Sequence, residues 1–283
     1  MKKLFICLLL GLVLCNGASV QARCSNHNHV YLISKDETKT EHKFANCDKH
    51  SMLKETTIYH YSNGTRRTYT NCTIFNSDGT VLETDCVKVK HLIYENKHYF
   101  LVYKNKQYRI LDENGEFLSI KKYTQMQEVA PNRLLVRINK KYGIIDLTDT
   151  TIVPLKYDKF EQIGKNLFIT KLNGYYGMID NSNNVLIRNE YEKIKPLNEV
   201  YLLKKYGQYG LADCAGKIIL AAENEKIKKL GEYIVVKNEG KYTVYSSNGE
   251  IISAKKYDKI RLERNTLKGK LPSKDWENIL NGL

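Results

Sequence analysis

Cysteine and histidine carry the sharpest chemistry in this chain, and both gather towards its N-terminal end. All seven histidines fall between His27 and His98, and Cys24, Cys47, Cys72 and Cys86 share that region. Two chemistries compete for them. Cys24-x-x-His27 and Cys47-x-x-His50 have ligand-like spacing and could complete a two-cysteine, two-histidine zinc site. Alternatively, the thiols oxidise in pairs. Cys72 and Cys86 flank Ser77-Asp78-Gly79-Thr80 almost symmetrically, as cross-strand partners about a hairpin turn would. Cys72 then pairs with Cys86 and, by elimination, Cys24 with Cys47, the preferred one of three connectivities. Cys214 is left over.

The first residues bear on which chemistry holds. Lys2 and Lys3 precede an apolar run over residues 4–14, and Val20-Gln21-Ala22 offers the small residues that a signal peptidase reads. Cleavage is expected after Ala22, giving a periplasmic or secreted protein. Lipidation at Cys15 would require a smaller neighbour than Leu14. No later stretch approaches the ~20 apolar residues of a spanning helix. An oxidising compartment favours disulfides over zinc at the four N-terminal cysteines.

Catalysis finds little support. The chain has no serine nucleophile elbow, phosphate-binding glycine loop or zinc-protease motif. Histidine is absent after His98, so two thirds of the chain lacks an imidazole base. Removing the leader with Lys2 and Lys3 takes the formal charge from +14 to +12. Such a charge attracts anionic surfaces. An exported protein meets envelope polymers and acidic proteins there, rather than nucleic acid. The expected protein is not an enzyme and needs no cofactor.

The elements that must position these residues are read from a repeat. Tyr108, Tyr142, Tyr176, Tyr209 and Tyr242 follow one another at intervals of 34, 34, 33 and 33 residues. Four residues after each stands Asp112, Asp146, Asp180, Asp213 or Ser246; ten after, Leu118, Ile152, Leu186, Ile219 or Ile252; fifteen after, Tyr123, Tyr157, Tyr191, Asn224 or Tyr257. A fixed period of this length means one supersecondary unit stacked on copies of itself. Short β-branched runs alternate with turn signals such as Asn114-Gly115, Ala215-Gly216 and Asn248-Gly249, so each unit reads as three or four antiparallel strands.

Lys141-Tyr-Gly-Ile-Ile-Asp146, Ile152-Val153-Pro154 and Tyr157-Asp158 resemble the repeat of the WG-repeat (KWG-repeat) family of bacterial proteins. The resemblance spans about residues 99–264. Tyr stands wherever the family has Trp, and the repeat glycine is replaced by Arg109 and Thr243 in the outer units. It implies a β-rich fold associated with binding rather than catalysis.

The expected architecture is therefore all-β, with tandem antiparallel repeats of about 34 residues in a propeller-like arrangement or an open β-repeat array. The organisation reads as a signal peptide (1–22), a Cys/His-rich β segment (23–90) with a degenerate repeat from about residue 69, the array (91–264) and a tail (265–283). In the tail, Trp276, Ile279, Leu280 and Leu283 lie on one helical stripe behind an N-capping Ser273, which predicts a short capping helix. The Asp column precedes turns and suits capping of turn amides. Lys159, Lys193, Lys226 and Lys259 recur at one position of the unit. They form either a solvated β-edge guarded against aggregation or a basic ridge that binds anions. The expected function is an exported interaction scaffold for a protein or anionic envelope polymer. The alternatives are a structural envelope protein and a metal- or redox-handling N-terminal segment carried on a repeat platform.

Overall fold

The structure is a computed structural model that describes the backbone of residues 21–24, 29–33, 39–47, 50–60, 66–272 and 274–279, and side chains of residues 50, 52–56, 68–272 and 274–279. The expected leader falls almost wholly outside these residues. So do Ser273, Leu280 and Leu283 of the expected helix. Among the described residues every regular element is a strand, and no helix is long and apolar enough to cross a membrane.

Strands follow one another as antiparallel meanders, so sequence neighbours are sheet neighbours. Gln21–Cys24 (β1), His29–Ile33 (β2), Lys39–Cys47 (β3), His50–His60 (β4), Arg66–Asn76 (β5) and Val81–Cys86 (β6) form the first sheet. Lys88–Tyr94 (β7), Lys97–Lys104 (β8) and Gln107–Asp112 (β9) form the second. Four sheets of four strands come next: Gln125–Ala130 (β10), Arg133–Ile138 (β11), Lys141–Ile145 (β12) and Thr151–Tyr157 (β13); Lys159–Gln162 (β14), Leu167–Leu172 (β15), Tyr175–Asp180 (β16) and Val185–Tyr191 (β17); Lys193–Leu197 (β18), Val200–Lys205 (β19), Gln208–Ala212 (β20) and Ile218–Asn224 (β21); Lys226–Leu230 (β22), Tyr233–Asn238 (β23), Lys241–Tyr245 (β24) and Ile251–Tyr257 (β25). Lys259–Glu263 (β26), Thr266–Lys270 (β27) and Trp276–Asn278 (β28) form the last. Contacts divide the chain into two compact units: Met1–Met126 with Leu147–Asp149, and Gln127–Asp146 with Thr150–Leu283.

Within the second unit, side-chain alternation along each strand explains the stacking. Successive residues of a strand point to opposite faces. Phe168 and Ile179 of the β14–β17 sheet pack with Ile144, Val153 and Tyr157 of the sheet before it. Their neighbours Ile169 and Met178 pack with Ile194, Leu203 and Ala212 of the sheet after it. The pattern shifts by one sheet at Leu202 and Leu211, which meet Ile227, Ile234 and Val236. Two central strands buried on both faces need continuous apolar runs, which is why β15 and β16 read Leu-Phe-Ile and Met-Ile rather than alternating with polar residues. Each such side chain contributes roughly 1.5–3 kcal/mol on burial.

The sheet boundary lies inside the sequence motif. Tyr157, Tyr191, Asn224 and Tyr257 end the fourth strand of one sheet and are buried, whereas Lys159, Lys193, Lys226 and Lys259 open the next. The intervening Asp158, Glu192 and Glu225 clamp the following sheet: their carboxylates accept the amides of Asn173 (3.1 Å), Gly207 (3.1 Å) and Gly240 (2.8 Å). Those amides belong to two-residue turns in which both φ angles are positive, as at Asn173 and Gly174 (51° and 89°), the conformation that a tight hairpin requires.

Between the third and fourth strands the Asp column caps the turn. Asp180 accepts the amides of Ser182 and Asn184 at 2.8 Å each, and Asp213 those of Ala215 (2.9 Å) and Lys217 (2.8 Å). Partial burial pushes the Asp180 carboxyl upwards, but hydrogen bonds from the Asn184 side chain and amide and the Ser182 amide outweigh it and hold the pKa below the usual range.

The tail corrects the sequence expectation. Trp276–Asn278 is a strand that pairs with Lys268–Lys270, not a helix. The exposed ladder of β27 gains hydrogen bonds from it, while Ile279 packs with Tyr257 and Leu267. Trp276 lies under the Arg261 guanidinium, 4.2 Å from its ring centre.

One glycine position holds the fourth strand. A Cβ on Gly143 would lie 2.5 Å from the Val153 carbonyl oxygen and 2.9 Å from the Leu155 amide nitrogen, where β13 bulges over β12. Gly177 and Gly210 face the same contacts from Ile187 and Leu220. Gly177→Ala should destabilise by about 1–3 kcal/mol through overpacking against backbone that cannot yield, measured as a lower midpoint in urea unfolding. Asp180→Ala should lower the melting temperature at pH 7. Because the folded pKa is depressed, its contribution is complete above about pH 4 and is lost as pH falls through the lower folded value. The gap between wild-type and variant melting temperatures should therefore narrow as pH falls below about 4.

Candidate functional site

The lysine column occupies the first position of an edge strand in four successive sheets, and all four side chains are exposed. Backbone pairing places a second lysine opposite each one: Lys159 faces Lys171, Lys193 faces Lys204, Lys226 faces Lys237 and Lys259 faces Lys270. Like charges directly opposite repel. The clamp carboxylates offset this, because Glu192 pairs with Lys204 at 2.9 Å and Glu225 with Lys237 at 2.6 Å. The Lys204 hydrogen bond, joined by the Gly207 amide, lowers the Glu192 pKa.

The four columnar lysines are not equivalent. Lys159 donates to Glu161 at 2.6 Å, a bond that raises its pKa. Lys193, Lys226 and Lys259 have no hydrogen-bond or ion-pair partner among the described residues. Strand alternation also brings position i+2 to their side, where Glu161 is replaced by Lys195, Lys228 and Arg261. Sequence reading found the column but missed the i+2 partners. These become a signal only once Ile194 and Ile227 are known to point inwards, as their burial shows.

The N-terminal candidates separate into described and undescribed residues. The side chains of Cys24, His27 and Cys47 lie outside the described residues, which leaves His50 alone of the four zinc alternatives. His50 is buried, its Nε2 donates to the Glu113 carbonyl at 3.1 Å, and it packs against His98 and Phe100. His91 Nε2 and His98 Nδ1 share a hydrogen bond of 2.9 Å in the same group of rings. Among the described residues no three His, Cys, Asp or Glu side chains are arranged to hold a metal ion.

Cys72 and Cys86 face each other directly across β5 and β6, are buried, and are free thiols in this structure. They stand where a regular repeat places its two tyrosines. Cys72 with Cys86, Ile74 with Glu83 and Phe75 with Val81 pair as Tyr142 with Tyr157, Ile144 with Val153 and Ile145 with Thr151 do. The turn matches too, since the Asn76 amide bonds the Thr80 carbonyl (2.8 Å) as Asp146 bonds Thr150 (2.9 Å). Burial, reinforced by Glu83, pushes the Cys86 thiol up to about 12, and burial raises Cys72.

A cavity appears where the repeat departs most from its own pattern. Arg109 occupies the glycine position of the first unit. Only two isolated bridges, Tyr108 with Tyr123 and Leu111 with Phe117, remain of the fourth strand there. The Ile110 amide bonds the Ser119 hydroxyl (2.9 Å), and Ile120 is 93 % exposed. Thr243 at the same position leaves β25 paired, so the larger side chain marks the difference. The Arg109 guanidinium lies 3.5 Å from the centre of the Phe117 ring. It borders a cavity of about 190 Å³ that is also lined by Glu83, Lys104, Gln107 and Lys122.

Thiol reactivity follows from the burial just described. With reduced native protein at pH 8, iodoacetamide should modify exposed Cys214 at least tenfold faster than Cys86, because the thiolate is the reacting species. Peptide mass mapping checks this, and equal rates would contradict it.

The 34-residue unit has a counterpart among known families. Residues 142–176, one unit from tyrosine to tyrosine, match the family model described as WG containing repeat. No curated protein matches the chain. Among solved structures, Kluyveromyces lactis Hsv2 is similar with a TM-score of 0.29 and 12 % identity, covering 75 % of this chain and 85 % of its own. The N-terminal domain of Nup159 is similar with a TM-score of 0.30 and 10 % identity, covering 75 % and 82 %. The AfRom2 CNH domain gives 0.28 and 11 %, covering 89 % and 95 %. With TM-scores below 0.5, these likenesses carry no further argument. The repeat itself is the firm link: residues 142–176 are similar to the WG containing repeat, and their unit opens on Tyr142-Gly143.

Proposed function

We propose that the protein is an exported interaction scaffold that binds an anionic polymer of the cell envelope through the basic edge of its repeats, without catalysis. The observation that carries this reading is the recurrence of unpaired cations at one position in successive sheets: Lys193, Lys226 and Lys259, joined by Lys195 and Lys228 two residues along. A polymer with regularly spaced charges can engage several such positions at once, and each added contact raises avidity without new chemistry. Lys2 and Lys3 ahead of the apolar run over residues 4–14, with Val20-Gln21-Ala22 behind it, have the pattern of a cleavable leader and support the export part of this reading. In an oxidising compartment, the facing Cys72 and Cys86 would join as a disulfide and lock the degenerate unit. High thiol pKa values slow that reaction once the protein is folded, so the bond would form during folding.

A competing explanation is that edge lysines only prevent sheet-to-sheet association. Retention on immobilised dextran sulfate separates the two, with uncharged dextran as control. Lys226→Gln should elute at lower salt than the wild type, and the triple change of Lys193, Lys226 and Lys259 to Gln at markedly lower salt, since exposed charges are screened within about 10 Å at 0.1 M salt. Lys159→Gln, whose charge is already met by Glu161, should shift elution least. If the triple variant elutes with the wild type, the scaffold reading fails.

A further inference from the structure

We propose that the cavity beside Arg109 is a binding site for a small organic carboxylate. This site belongs to the first repeat and does not rest on the lysine edge of the later sheets.

Charge gives the first argument. Lys104, Arg109 and Lys122 line the cavity, and Glu83 is the acid among its lining residues. Glu83 is already engaged, since Lys104 donates to it at 2.8 Å and to the Thr84 carbonyl at 2.9 Å. Arg109 and Lys122 then have no hydrogen-bond or ion-pair partner among the described residues. The Arg109 Nε is buried and unpartnered. A guanidinium held partly out of water without an acceptor is costly, and an anion against its other N–H groups would offset part of that cost.

Geometry gives the second. Stacking on Phe117 fixes the plane of the guanidinium, and a fixed fork of N–H donors matches a carboxylate through two parallel bonds. The cavity lies where the fourth strand, which covers the glycine in regular units, is reduced to two bridges. Arginine at that position therefore both marks the lost strand and supplies the charge in the space beside it.

Size and wall chemistry narrow the ligand. About 190 Å³ is smaller than the ~300–1,000 Å³ of sites for drug-sized ligands, so it suits a single acidic unit. Val102 and Phe117 offer apolar wall for a carbon body, and Gln107 adds a side-chain amide to the lining. Two unpaired cations and an apolar wall suit a monoanion on a carbon frame better than a phosphate, which carries more charge and calls for more donors.

Isothermal titration of the mature chain with glucuronate and with N-acetylglycine tests the proposal, with glucose and inorganic phosphate as controls. Saturable binding of at least one carboxylate is expected, weakened tenfold or more by Arg109→Gln and severalfold by Lys122→Gln. Glucose should not bind. Which carboxylate binds more tightly separates a sugar acid from a peptide-type acid as the natural source. The variants must melt with the wild type, and Lys122→Gln, at an exposed lining residue, serves if Arg109→Gln unfolds. Retained binding in the triple Lys193, Lys226 and Lys259 variant is expected, so failure here is distinct from failure of the edge reading. Absence of saturable binding to both carboxylates, equal affinity in Arg109→Gln and Lys122→Gln, or tighter binding of phosphate would each overturn it.

Discussion

Every four-stranded sheet described here has apolar side chains on both faces of its central strands, and this one constraint governs the rest. Phe168 and Ile169, adjacent in sequence, belong to different hydrophobic clusters on opposite sides of one sheet. Neither face is stable in water without a neighbour, so a single unit has no reason to fold alone. Interior sheets obtain two neighbours from the array. The last sheet is completed by the short strand at Trp276–Asn278, with Ile279 tucked against Tyr257 and Leu267.

Packing of that kind leaves the strand ends and turns as the places where sequence can vary, and polar chemistry collects there. Asp180 and its equivalents hold one turn, while Asp158, Glu192 and Glu225 hold another. Both sets of carboxylates serve the backbone, which accounts for their regular recurrence without any need for a ligand. The lysines beside them divide more unevenly. Lys204 and Lys237 balance clamp carboxylates, whereas Lys193 and Lys226 are left to solvent. Periodicity alone thus overstates function: a column can recur because the turn needs it.

Much of the fold was legible because a 34-residue period leaves many columns in register, and the strand pattern followed from β-branched runs and glycine turns. The second family of turns was harder to see. Asn139-Lys140, Tyr206-Gly207 and Glu239-Gly240 share positive φ at both residues without one sequence signature, and at the latter two the holding carboxylate, Glu192 or Glu225, stands 15 residues earlier in the chain. The tail helix misled for a related reason. Trp276 and Ile279 suit a helical stripe, but over so few residues the same pair fits a strand end, and an unpaired ladder on β27 decides. The cavity beside Arg109 was announced only as a lost glycine. That the loss coincides with a strand reduced to two bridges depends on how near the neighbouring backbone passes, and one sequence does not contain that distance.

The placement of each sheet boundary between a buried tyrosine and an exposed lysine carries a consequence for how such arrays change length. A join at Asp158, Glu192 or Asp258 falls where the chain passes from one sheet to the next. Duplicating or excising a segment between two such joins would rewrite no hairpin and split no ladder. The last tyrosine of one module would meet the first lysine of another across an unaltered crossover, so arrays of different lengths are reachable by whole-module recombination, with each new neighbour presenting an apolar face of the same kind.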